Sequence, residues 1–176
     1  MLLWKLPDNK FLAFIPKTGS TAWAQSILDK YYPELKQKQI EASTPSGETA
    51  SAQYLIPHIK HFPENATVYG IFRNPIERFK SGSATLGSNI NKNIQSLNDK
   101  KVNIHIKSMN DMFGKNLQKI NWFKYETDLQ KLAKTLSLDS TPMQINVTKN
   151  KIKLNENQLE KLNVYYKKDI EFYQKL

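Results

Sequence analysis

Three short apolar runs, each followed by a helix-start signal, constrain this chain more than any other feature of its sequence. Lys10 to Ile15 reads as a buried strand through Phe11, Leu12, Ala13, Phe14 and Ile15, ended by Pro16. Lys17-Thr18-Gly19-Ser20-Thr21 then leads into a helix whose Trp23, Ile27 and Tyr31 share a face at helical spacing. Ala66 to Phe72 repeats the pattern with Val68, Tyr69, Ile71 and Phe72, followed by Asn74-Pro75-Ile76-Glu77. Asn74 suits the N-cap, Pro75 the first helical position and Glu77 the capping-box partner. Asn121 to Tyr125 is the third strand candidate, and Thr127 with Gln130 can cap a helix carrying Leu129, Leu132 and Leu136. Asn155 with Gln158 caps a last helix in which Leu159, Leu162, Tyr166 and Tyr173 fall near one face. Strand, turn and helix recurring along one chain imply an α/β fold with a mainly parallel sheet.

The 176 residues suit a single domain, with no internal repeat and no linker-like shift in composition. At 39% hydrophobic and 11% aromatic residues the chain can build a core without staples, which argues against disorder. Two polar stretches, Ser43 to Ser51 and the Asn- and Lys-rich Gly87 to Lys101, read as loops, the second as a mobile excursion. The absence of cysteine excludes disulfides, thiolate zinc sites and cysteine nucleophiles. The start Met1-Leu2-Leu3-Trp4-Lys5-Leu6-Pro7-Asp8 is too short and too soon charged for a signal peptide, and no apolar run approaches the ~18 residues that span a bilayer. The expectation is a soluble, cytoplasmic chain with no membrane partner.

Lys and Arg outnumber Asp and Glu by 26 to 16, a net charge of +10 that favours an anionic partner, although a Lys- and Asn-rich coding bias explains the surplus equally well. The use of arginine is sharper. Arg73 and Arg78 are the only two in the chain, while lysine carries the positive charge everywhere else. Arginine kept for so few positions suggests a need for a flat bidentate fork, as at a phosphate.

A buried strand that turns into a helix N-terminus presents unpaired N–H groups and the positive end of the helix dipole. After the first strand, Gly19 allows close backbone approach, Thr18, Ser20 and Thr21 add hydroxyls, and Lys17 adds a point charge. The lysine precedes the glycine, so this is not a Walker A loop. An ordinary strand–helix turn with polar caps fits the same residues. After the second strand, Arg73 should project beyond the carboxyl edge of the sheet, where open α/β folds bind ligands. Ser81 could share an anion with it across the helix start, whereas Arg78 is as readily a surface partner of Glu77.

Taken together these segments resemble a known family. Phe14-Ile15-Pro16-Lys17-Thr18-Gly19-Ser20-Thr21-Ala22-Trp23 is similar to the 5′-phosphosulfate loop of sulfotransferases that use 3′-phosphoadenosine 5′-phosphosulfate (PAPS). Ile71 to Ser81 resembles their 3′-phosphate loop, with Arg73 and Ser81 eight positions apart. Trp122 to Leu129 is similar to the family's strand-plus-Glu before a late helix. Asn146-Val147-Thr148 and Tyr165 to Tyr173 resemble the ending of the carbohydrate-type branch. The resemblance runs from about Phe11 to Tyr173 and implies a compact, single sulfotransferase-like domain over residues 1–176. The fold expected is a P-loop-like three-layer arrangement, a central mainly parallel sheet flanked by helices.

The resemblance also implies roles. Lys17 would neutralise the bridging oxygen as the S–O bond breaks. Thr18, Gly19, Ser20 and Thr21 would hold the 5′-phosphate, and Arg73 and Ser81 the 3′-phosphate. PAPS is the implied donor, PAP the product, and a hydroxyl on a carbohydrate or small molecule the acceptor. No metal is expected. The base is the open point. His58, in Ile56-Pro57-His58-Ile59-Lys60-His61, lies upstream of the Arg73 strand much as the catalytic histidine of several branches does. His61 is second, a carboxylate such as Glu48 third, and His105 is read as structural. Two other classes compete: a P-loop nucleotide kinase, disfavoured by the lysine's position and the lack of a clear Mg²⁺-binding acid, and a basic nucleic-acid-binding module, which fits +10 but leaves both loops as coincidence.

Overall fold

The computed structural model describes residues 2–41, 52–87, 89–142 and 152–176. The Ser43 to Ser51 loop with Glu48, and Asn146-Val147-Thr148, lie outside the described residues. In chain order the elements are β1 (Leu3–Leu6), β2 (Lys10–Ala13), α1 (Ser20–Tyr31), α2 (Pro33–Glu41), α3 (Ala52–Leu55), β3 (His58–Ile59), β4 (Thr67–Phe72), α4 (Pro75–Thr85) and α5 (Ile90–Gln95). There follow α6 (Met109–Phe113), β5 (Asn121–Lys124), α7 (Leu129–Thr135), α8 (Glu156–Tyr165) and α9 (Lys167–Lys175), with 3-10 turns at Ser96–Asn98 and Gly114–Lys119.

The three expected strands form as β2, β4 and β5 and pair in parallel. The sheet as a whole is mixed, not mainly parallel. Its order is β3-β1-β2-β4-β5, with β1 antiparallel to both β2 and β3. The physical reason lies in Pro7-Asp8-Asn9, where Asp8 and Asn9 both take left-handed backbone (φ 57° and 54°) and Lys10 N–H donates to Pro7 O at 3.2 Å. Short Asx side chains tolerate that conformation. A turn this short can join only antiparallel strands, since a parallel pair needs a long crossover.

Side chains alternate across the sheet and are covered on both faces, which is why the parallel strands read as continuous apolar runs. Leu12, Ile71 and Phe123 face one core with Trp23, Ile27 and Leu28 of α1 and Leu132 of α7. Phe11, Val68 and Phe72 face the other with Met109 and Phe113 of α6, and Phe172 and Tyr173 of α9 pack against it. A third cluster joins Phe79 of α4, Ile94, Leu97, Ile106, Leu162 and Tyr166.

The Gly87 to Lys101 stretch, expected as an excursion, instead carries the packed helix α5. Asn89 Oδ1 caps it by accepting from Lys92 N–H at 3.0 Å, and Ile94 and Leu97 are buried. Ile90, Ile94 and Leu97 follow helical spacing, and that stripe outweighs the polar composition. The Asn155–Gln158 capping box forms as expected, but the last helix is two, α8 and α9, meeting at buried Tyr166. Thr127 does not cap α7: Asp128 stands at the N-cap, and its carboxylate accepts from Lys124 N–H at 2.9 Å.

Candidate functional site

Beyond β2 the chain stays buried at Ile15 and then turns sharply. Lys17 has φ 70° and Gly19 φ 77°. A glycine holds that conformation without cost, whereas a lysine is strained there by ~1–3 kcal/mol, a strain that clusters at functional positions. Gly19 is the N-cap of α1 and offers no side-chain cap. Its carbonyl accepts from Ala22 and Trp23, at 2.9 and 3.1 Å, so the helix opens with its first N–H groups unpaired inside the helix. Thr18 differs from its expected role, because its side chain is buried and its hydroxyl donates to Ile15 O at 2.8 Å. Only its backbone N–H is left to contact an anion. Ser20 is half-buried and Thr21 exposed.

Arg73 leaves β4 at the same edge. Its Nη1 donates to Lys17 O at 2.9 Å, and its guanidinium lies over the Tyr125 ring, 4.7 Å from the centroid. Its Nε is buried and has no hydrogen-bond partner. Tyr125 is a site residue to which the sequence alone assigns no role. The signal for it is the parallel register of Phe72 with Lys124, which sets the next residues, Arg73 and Tyr125, side by side. Tyr125 also approaches the other loop, its Cε2 lying 3.7 Å from where a Cβ on Gly19 would stand.

Asn74 caps α4 as expected, accepting from Ile76 and Glu77 N–H at 3.0 and 3.2 Å. The reciprocal bond comes from elsewhere: Asn74 N–H donates to Glu126 Oε1 at 3.0 Å, while Glu77 pairs with Lys80 at 2.7 Å. Glu126 Oε2 accepts from the Tyr173 hydroxyl at 2.8 Å, and burial together with that carboxylate pushes this phenol up to about 12. Glu126 thereby ties the Arg73 loop to α9.

Lys17 connects the two halves of the site. While its carbonyl holds Arg73, its Nζ donates to Thr85 Oγ1 at 2.7 Å, and Thr85 Oγ1 donates to Ser81 O at 3.2 Å. Partial burial, then the Arg73 charge, lowers the Lys17 pKa. Among the described residues neither Lys17 nor Arg73 has a carboxylate in ion-pair contact. Two cations held together without a counter-ion gain from an arriving anion.

Arg78 is neither a surface partner of Glu77 nor open to a ligand. It is 1% exposed, and its Nη2 donates to Lys107 O. Burial lowers its pKa, and the nearby Tyr166 and Asp169 oppose that shift. Its role is to hold the segment before α6.

The histidines separate. His58 lies exposed on β3, paired with Trp4, with its Nδ1 3.3 Å from Ile56 O, and His61 is exposed beyond that strand. Neither makes a hydrogen bond to either loop among the described residues. His105 is half-buried beside α4, its N–H donating to Asn103 Oδ1 at 3.0 Å. Burial, then the charges of Lys17 and Arg78, push the His105 ring below its ordinary range. No group of three or more His, Asp or Glu side chains that could hold a metal ion occurs among the described residues. No helix among them is long and apolar enough to cross a membrane. Comparison with family models, curated proteins and solved structures gave no match.

Proposed function

We propose that this protein moves a sulfuryl group from PAPS to an acceptor hydroxyl on a carbohydrate or small molecule, using a P-loop-like site at the β2 and β4 edge. The observation that carries this reading is the bond from Arg73 Nη1 to Lys17 O, which joins the two loops into one cationic site while leaving Arg73 Nε buried and unpaired. A buried donor without an acceptor is costly, and a 3′-phosphate supplies one. The unpaired N–H groups at the start of α1 suit the 5′-phosphate. Lys17 stands in the turn that leads into that helix, and its ammonium would neutralise the phosphate oxygen that leaves sulfur. Thr85 holds Lys17 Nζ and would release it to the donor. Sulfuryl transfer needs such positioning and charge stabilisation more than covalent participation.

Calorimetry with PAP, with Mg-ATP and with duplex DNA at several salt concentrations tests the reading. PAP should bind micromolar or tighter, compete with PAPS, and bind better than Mg-ATP. Preference for Mg-ATP would point to phosphoryl transfer instead. Salt-dependent DNA binding that PAP does not displace would point to a nucleic-acid module.

A further inference from the structure

We propose that His105 takes the acceptor's proton in this reaction, an assignment that rests on the sulfuryl-transfer reading above. The acceptor oxygen forms a bond to sulfur, the bond from sulfur to the 5′-phosphate oxygen breaks, the electron pair leaves with PAP, and the hydroxyl proton passes to the imidazole.

The backbone around His105 is fixed on all sides. His105 O packs so closely on α4 that a Cβ on Gly82 would stand 2.3 Å from it. Ile106 O accepts the Tyr166 hydroxyl, and Lys107 O accepts Arg78 Nη2. Asn103 O accepts from both Ile106 and Lys107 N–H, at 3.0 and 2.9 Å. These contacts bind the main chain and leave the ring with a buried Nδ1 that has no hydrogen-bond partner. Buried ring nitrogens are normally paired, and one that is not calls for a role.

Position gives that role. Lys17 Nζ reaches Thr85, less than one helical turn beyond Gly82, so Lys17 and the His105 segment converge on the same stretch of α4. The charged groups facing the ring are Lys17 from the β2–α1 loop and Arg78 from α4. Burial and these cations keep the imidazole neutral at neutral pH, the form that accepts a proton. Donor phosphates at Lys17 would offset the cations and raise the proton affinity of the ring, toward what a general base at neutral pH needs.

Histidine-ring NMR of the parent protein, titrated with and without saturating PAP, tests this without needing the acceptor. The His105 ring should titrate below its ordinary range in the free protein and move upward when PAP is bound. With an acceptor that the parent sulfates, His105→Asn and His105→Gln should lose ~10²–10⁴-fold in kcat and the acid limb of the pH–rate profile, with PAP affinity within about threefold. If the parent does not bind PAP, the sulfuryl-transfer reading falls. If PAP binds but the His105 titration does not move, or the variants keep the parental rate and acid limb, this assignment alone is overturned.

Discussion

Replacing Gly82 by alanine gives a test in which the sign of the effect carries the answer. In an exposed helix interior this change is stabilising by ~0.5–1 kcal/mol, because glycine loses more backbone entropy on folding. Gly82 is not exposed. A Cβ there would meet His105 O at 2.3 Å and Ile106 Cγ2 at 2.8 Å, against 3.4–4 Å for ordinary contact. The nearer atom belongs to backbone, so no rotamer change relieves it, and residues 105–106 must retreat by roughly 1 Å. Ile106 O and Lys107 O are tied to Tyr166 and Arg78, which resists that retreat. Overpacking of this kind costs ~1–3 kcal/mol, which exceeds the propensity gain and leaves a net loss of about 1–2 kcal/mol. For a chain of this size the midpoint should fall by ~2–8 °C. Thermal melts followed by circular dichroism, with urea titrations to supply the free energy, measure it. A Gly82→Ala protein as stable as its parent, or more so, would show that the 103–107 segment does not lie on α4, and the placement of His105 would fall with it.

The remaining predictions concern the site. Lys17→Ala should lower kcat with PAPS by at least ~10²-fold while PAP affinity falls by less, because the ammonium acts chiefly on the charge that develops at the leaving oxygen; near-normal turnover would remove Lys17 from the mechanism. Arg73→Lys keeps the charge but loses the fork that reaches Lys17 O and stacks on Tyr125, so PAP affinity should fall about tenfold or more by calorimetry. Arg78→Lys should instead weaken the fold, by ~1–3 kcal/mol in urea titrations, since Lys107 O loses its buried donor, with a smaller loss of PAP affinity. Equal PAP affinities for the two variants would contradict this division of labour. The His105 ring is held below its ordinary range, so the unfolded chain takes up the proton first. The stability this confers is complete above the unfolded value of ~6.5 and is lost as pH falls through the lower folded value. Melting temperature should therefore decline less steeply below about pH 6.5 in His105→Asn than in the parent; parallel curves would refute the shift.

Much of the scaffold is legible in the residues themselves. The runs Lys10 to Ile15, Ala66 to Phe72 and Asn121 to Tyr125 contain the parallel neighbours β2, β4 and β5, and Asn74 and Asn155 cap their helices, because strand burial and capping depend on side chains a few positions apart. The Pro7-Asp8-Asn9 turn was equally local, and its left-handed Asx pair is the signal for the antiparallel half of the sheet. Arg73 could likewise be placed at the strand edge from spacing alone. What tertiary structure decided is which groups meet across long separations. Arg78 has the same fork as Arg73, yet its place within α4 buries it against Lys107. Thr18, a natural phosphate ligand by residue type, turns its hydroxyl onto Ile15 O because the strand behind it is buried. Thr85 reaches Lys17 across 68 positions, and His105 comes to the same stretch of α4 because Gly82 lets a distant backbone approach. Local interactions are encoded by neighbours along the chain. Contacts of that range are chosen by how three packed clusters and one sheet edge close on each other, and no window of the sequence contains them.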